Sequence, residues 1–146
     1  MEHGHAIGNH THNHLNGWKT NFNQYLENVA LCDTELKNHT PDNRINPSLF
    51  RPPYGRITRK QIAGLPRFKI IMWDVLTIDY NMHLSKENCL MNSIRATRDG
   101  SIIVFHDSLK AAKNLTYALP RFIEHFSAQD YEFTIIPDGK DPGSAT

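Results

Sequence analysis

Two histidines four positions apart, His10 and His14, carry the first chemical signal in this chain. They stand in the run His10-Thr11-His12-Asn13-His14, directly after Gly8-Asn9. Neutral imidazole is the commonest ligand for zinc-like ions, and this spacing suits one helical turn or a tight loop. A solvated, histidine-rich terminus has the same spacing. A catalytic ion keeps one position open for water and usually takes three protein ligands. His3, His5 and His12 raise the local histidine count, but nothing marks them as ligands. Far downstream, His106-Asp107 follows the apolar run Ile102-Ile103-Val104-Phe105. A histidine at a strand end is either a satisfied core polar group or an acid–base group. A carboxylate partner favours the second, because it fixes the tautomer. Asp74 and Asp79 both follow the apolar segment that ends at Trp73. A protonated histidine can then deliver a proton to a leaving amine. Between these groups lies Phe50-Arg51-Pro52-Pro53-Tyr54-Gly55. A guanidinium forks well onto a carboxylate, and two prolines fix where it points. The plainer reading is a stiff surface turn. Trp73, Tyr80 and Val104 are candidates to line an apolar pocket, although core packing is the plainer role for Trp73. These residue types together point to metal-assisted hydrolysis.

Positioning them requires alternating elements of two periods. Phe22, Tyr25, Leu26, Val29 and Leu36 fall at helical spacing, which predicts a helix from Asn21 to Lys37 capped by Thr20. Leu49-Phe50 reads as a short strand running into the Pro-Pro turn. Lys69 to Trp73 reads as a second strand and Ser101 to Phe105 as the clearest buried one. Ser85 is placed to cap a helix burying Leu90, Met91 and Ile94, with Gly100 beyond its end. Leu115 to Phe126 predicts a helix with Pro120 near its start or at a kink, and Tyr131 to Ile136 a last strand. Alternation of this kind implies an α/β fold with a mostly parallel sheet, whose chemistry collects at the carboxyl ends of strands. His10, Arg51, Asp74 and His106 each follow such an end in this reading.

Composition narrows the classes. A chain of 146 residues with formal net charge +1 reads as one domain without a broad pull on nucleic acid or anionic membrane. No apolar run approaches the roughly 20 residues that span a bilayer. The first residues are polar and histidine-rich rather than basic and then apolar, so they do not resemble a signal peptide. Cys32 and Cys89 read as buried thiols. The turn-rich tail 137–146 is expected to be disordered, leaving 1–136 as the folded domain.

Four ordered motifs then match a known family. The chain resembles a polysaccharide deacetylase of the NodB-homology type, also called carbohydrate esterase family 4. The stretch from His10 to His14 is similar to that family's H-[ST]-x-x-H motif, and Arg51-Pro52-Pro53-Tyr54 to the next. Trp73-Asp74-Val75-Leu76-Thr77-Ile78-Asp79-Tyr80 resembles the fourth motif, with Leu76 where an aspartate is common and Tyr80 in place of tryptophan. Ile103-Val104-Phe105-His106-Asp107 resembles the fifth. The resemblance implies a distorted (β/α) barrel and removal of acetyl groups from N-acetylated sugars of a polysaccharide. It implies His10 and His14 as ligands of a divalent metal, zinc first among them. It implies His106 as general acid, Asp79 as its orienting carboxylate and Val104 as part of the acetyl pocket. Arg51 would pair with the general base, and Tyr54, Tyr80 and Trp73 would contact substrate. Relatives of this type usually act outside the cytoplasm, at the cell envelope. One family motif, T-F-D-D-G-P, has no counterpart, since the chain holds no Asp-Asp pair. Its two aspartates supply the base and the third metal ligand. The expectation is therefore an incomplete, N-terminally truncated barrel, with weak or no activity as this chain and exposed sheet edges that invite self-association. The competing reading is a non-catalytic carbohydrate- or metal-binding module derived from a deacetylase. A third keeps the fold and changes the substrate to another amide or imide.

Overall fold

Parallel pairing joins every strand pair among the described residues, which in the computed structural model are 5–40 and 45–136. The chain divides into two compact units. One comprises the described residues up to Met72 together with 135–136; the other is Trp73–Thr134.

In the first unit, β1 (Ile7–Asn9), β2 (Ile45–Phe50) and β3 (Lys69–Ile70) form a sheet in the order β1-β2-β3. Parallel neighbours need a crossover, and α1 (Phe22–His39) lies between β1 and β2 in the chain. Its apolar residues recur at helical spacing, so one face can bury. Tyr25 and Val29 pack with Phe50, Leu65 and Phe68, and Leu26 and Ile70 join from the edge. The helix is capped by Asn21, which accepts the Gln24 N–H, rather than by Thr20. Thr20 is diverted because its hydroxyl donates to the Asn16 carbonyl at 2.8 Å. A short helix, α2 (Arg59–Ala63), starts with a full capping box between Thr58 and Gln61.

In the second unit, β4 (Val75–Leu76) pairs with β5 (Ile103–Val104). β5 is shorter than the predicted Ser101 to Phe105, and β4 lies just beyond the strand predicted to end at Trp73. Two helices complete the unit, α3 (Lys86–Ala96) and α4 (Ala112–Ser127), packed on one another. Ser85 caps α3 as expected, accepting the Asn88 N–H at 3.1 Å. The buried face of α3 is different from the predicted one. Cys89 and Ser93 are buried, Leu90 and Ile94 only half so, and Met91 is exposed. Small side chains let the helix approach closely, and the Ser93 hydroxyl is satisfied by the Cys89 carbonyl at 2.7 Å. Pro120 lies well inside α4 rather than near its start. The buried stripe of α4 runs Asn114, Ala118, Phe122, Phe126.

Two further expectations are corrected. Tyr131 to Ile136 forms no strand, and Phe133 and Ile135 are exposed. Cys89 is buried, but Cys32 is only half-buried. The tail 137–146 lies outside the described residues, as does His3. Among the described residues no helix is long and apolar enough to cross a membrane.

Candidate functional site

The histidine run leaves β1 as a tight loop, not as a helical turn. Thr11 and His14 both adopt left-handed backbone, with φ of 60° and 54°. Such conformers cost about 1–3 kcal/mol each and persist only when their surroundings hold them. Here a network of amides does so. Buried Asn9 donates from Nδ2 to the Val29 carbonyl at 2.9 Å and to Asp33 at 2.7 Å. Its Oδ1 accepts the Thr11 N–H at 2.9 Å, and the Thr11 hydroxyl accepts the Leu15 N–H at 3.0 Å. Asn28 on α1 binds Asn13 twice, at 2.9 and 2.6 Å. Asp33 is itself paired with Arg67.

Within that loop the rings of His10 and His14 meet edge to face, with centroids 4.9 Å apart. Zinc–nitrogen bonds of about 2.0–2.1 Å would place two imidazoles on one tetrahedral ion with centroids roughly 5 Å apart. His10 Nδ1 contacts the Arg51 carbonyl, which can only accept a hydrogen bond. The proton therefore sits on Nδ1 and the lone pair on Nε2, the arrangement that metal-binding histidines use. These two donors fit a divalent cation, as far as two donors go. Among the described residues no group of three or more His, Cys, Asp or Glu side chains could hold a metal ion. His5 and His12 are exposed, and His12 contacts Asn13 instead.

Arg51 follows β2, and its N–H donates to the Asn9 carbonyl at 3.0 Å. That bond ties the two strand ends together. Pro52 and Pro53 are buried, and Tyr54 then takes a left-handed φ of 58°. This turn brings the Tyr54 ring edge-on to His14, with centroids 4.7 Å apart. Tyr54 remains 59% exposed, enough to meet a ligand. The Arg51 guanidinium is half-buried, and burial lowers its pKa below the usual arginine range. It has no carboxylate or hydrogen-bond partner among the described residues.

The second unit holds the other candidate group. The Asp79 side chain is fully buried and meets His106 twice. Oδ1 lies 2.6 Å from His106 Nδ1, and Oδ2 accepts the His106 main-chain N–H at 2.7 Å. A carboxylate on Nδ1 keeps a proton on that nitrogen, so Nε2 is the one that can take up and give a proton. Tyr80 stands edge-on to the imidazole, with centroids 4.8 Å apart. Register delivers this pair. Leu76 and Val104 are partners across β4 and β5, so Asp79 and His106 leave adjacent strand ends. Thr77 tightens the exit, its hydroxyl donating to the Val104 carbonyl at 2.9 Å. Ile78 is left-handed, with φ 56°, which is rare for a β-branched residue. Beneath lies buried Cys89, its thiol pushed up to about 11 by burial and then by the Asp79 charge. Val104 is buried, whereas Trp73 is half-buried just before β4.

Asp74 is not the partner of His106. It precedes β4 rather than ending a strand, and its Oδ2 accepts the Ile102 N–H at 2.9 Å. The structure thus brings His10, His14, Tyr54 and the Arg51 backbone together in one unit. It brings Asp79, Tyr80, His106 and Val104 together in the other. Composition had left Asn9 and Asn114 unremarked. Their signal was a polar residue at a core position, best seen in the i, i+4 stripe of α4.

Comparison with known proteins adds an independent line. The polysaccharide deacetylase family model matches residues 1–70. A peptidoglycan-N-acetylglucosamine deacetylase of Bacillus cereus is 30% identical over 140 residues, covering 92% of this chain and 48% of that protein. Chitin deacetylase 1 of Saccharomyces cerevisiae is 30% identical over 122 residues, covering 75% of this chain and 38% of its own length. The chain thus spans about half or less of these relatives. Among solved structures, the Bc1960 peptidoglycan N-acetylglucosamine deacetylase superposes with a TM-score of 0.79 at 28% identity. That match covers 92% of this chain and 62% of the other, and it carries the same α/β architecture.

Proposed function

We propose that this chain, which is similar to polysaccharide deacetylases, serves hydrolysis of the acetamide C–N bond on N-acetylated sugars of a polysaccharide. The observation that carries the reading is the doubly bonded Asp79–His106 pair. Asp79 holds the Nδ1 proton, and His106 as the imidazolium gives its Nε2 proton to the amine nitrogen as the C–N bond breaks. Tyr80 restricts the ring's swing from its edge. Val104 is assigned to the acetyl pocket, and Tyr54 and Trp73 to sugar contacts. His10 and His14 would hold a divalent cation, and two imidazole donors favour zinc. When bound, such an ion polarises the amide carbonyl and lowers the pKa of water. Arg51 would pair with the carboxylate of a general base. Polymers of this kind put the place of action at the cell envelope.

Activity of this chain alone is proposed to be weak. The sequence holds no Asp-Asp pair, and Arg51 has no carboxylate partner among the described residues. Lack of a general base costs about 10²–10⁴ in rate. Those same observations favour the second reading, a non-catalytic carbohydrate- or metal-binding module. Self-association also stays in the proposal, because β1 and β3 are the outer strands of their sheet among the described residues.

Acetate release from N-acetylglucosamine oligomers, with added zinc and with chelator, tests the reading. Slow release that chelation stops is the expected result. Oligomer binding without release above the protein-free control sinks the enzyme and supports the module. Rapid turnover by this chain would overturn the assignment of weakness.

A further inference from the structure

Asn114 is a polar residue in an otherwise apolar stripe, 1% exposed on α4. Its Nδ2 donates to three main-chain carbonyls of one turn: Asp79 at 3.0 Å, Asn81 at 3.2 Å and Leu84 at 3.3 Å. An amide oxygen in that place would be repelled by all three, so the partners fix the orientation. Two hydrogens serve three acceptors, so at least one is shared. Oδ1, in contrast, is buried with no hydrogen-bond partner among the described residues. An unsatisfied buried acceptor is a cost, so what this side chain contributes is the donor end.

The turn it holds is the one that needs holding. Asp79 directly follows the left-handed Ile78. A strained residue keeps its conformation only when the chain is fixed on both sides. Upstream, Thr77 is tied to Val104 through its hydroxyl and N–H. Downstream, the Asn81 N–H closes on the Ile78 carbonyl at 3.0 Å, and the three bonds from Asn114 anchor the rest. The Asp79 carboxylate itself is hydrogen-bonded to His106. A backbone shift at Asp79 would therefore pull it off the imidazole.

We infer that Asn114 is a positioning residue, which clamps the turn from Asp79 to Leu84 onto α4 and so keeps the Asp79 carboxylate on His106. Its catalytic consequence rests on the deacetylase reading above; its geometric content does not. The bond of 2.6 Å between Asp79 Oδ1 and His106 Nδ1 gives the ring proton a far-downfield resonance, identified by its loss in Asp79→Asn. Three variants report on the clamp in the intact chain. Asn114→Leu keeps the volume without donors, Asn114→Ala removes both, and Asn114→Ser retains one donor. Phe122→Leu weakens the same helix without touching the turn. With each protein held equally far below its own Tm, the resonance should shift or vanish in the Leu and Ala variants. It should survive in part in the Ser variant and fully in Phe122→Leu. Where acetate release is measurable, kcat should fall by about 10²-fold in Asn114→Leu while KM holds, as for a misplaced catalytic group. An unmoved resonance in a folded Asn114→Leu or Asn114→Ser overturns the inference, and so does equal loss in Phe122→Leu. The expected resonance pattern without acetate release from any protein supports the clamp and sinks the deacetylase reading alone.

Discussion

In the unit up to Met72, His10 and His14 hang on a loop with two left-handed residues, and the restraints act mainly on its backbone. In Trp73–Thr134, His106 is gripped at its ring and its main-chain N–H by one fully buried carboxylate. The contrast fits the roles proposed for the two groups. An imidazole that binds a metal has to offer a nitrogen lone pair, and a fixed framework is what aims it. A proton donor must present one tautomer, so its far nitrogen is occupied by a charge. The first arrangement tolerates exposure, as at His14. The second requires burial, because a solvated carboxylate would be screened and mobile.

The largest effect expected from breaking this contrast falls on the second unit. His106→Ala should lower acetate release by about 10²–10⁴ while zinc stoichiometry stays unchanged in calorimetry. A mutant with the parental rate would remove His106 from the chemistry. Next comes the loop of the first unit. Replacing both His10 and His14 by Ala should abolish stoichiometric zinc binding and leave the His106 ring-proton resonance in place. Undiminished affinity would move the ion elsewhere.

Alkali sharpens the comparison through the two cores. Burial raises Tyr25 to about 12 in one unit, and burial with the Asp79 charge raises Cys89 to about 11 in the other. Both groups are neutral when folded and lose their protons more readily when unfolded. Stability should therefore fall as pH rises through the unfolded pKa values, about 9 for Cys89 and then 10 for Tyr25. Thermal melts across this range should flatten in Cys89→Ala above pH 9 and in Tyr25→Phe above pH 10. Tyr25→Phe also deletes a buried hydroxyl with no hydrogen-bond partner among the described residues, which should add about 1–2 kcal/mol at neutral pH. Melts that keep the parental slope would show that these groups do not govern the alkaline limit. The smallest effect belongs to Ile78, which is 41% exposed and so loses little burial on truncation. Ile78→Gly should relieve the left-handed strain and shift stability upward by no more than about 1 kcal/mol, offset by glycine's entropy. A marked loss of stability would mean that the Ile78 side chain packs more than its exposure shows.

Much of this site could be read before any coordinates. Periodicity located α1, α3 and α4, and a strand exit preceded His10, Arg51 and His106. What misled was phase and partner. The apolar residues of α3 outvoted Cys89 and Ser93, although close helix packing selects small side chains. The segment Tyr131 to Ile136 alternates like a strand but is irregular.

The sequence by itself determined the α/β alternation, the family resemblance and the residue types that can bind a cation or move a proton, because those depend on local pattern and side-chain chemistry. Only the tertiary structure decided that the histidine run is a strained loop tied to α1, that Asp79 rather than Asp74 meets His106, and that Asn114 anchors the turn between them. Each of those outcomes rests on strand register and on hydrogen bonds between residues about 20 to 40 positions apart, which no local pattern encodes.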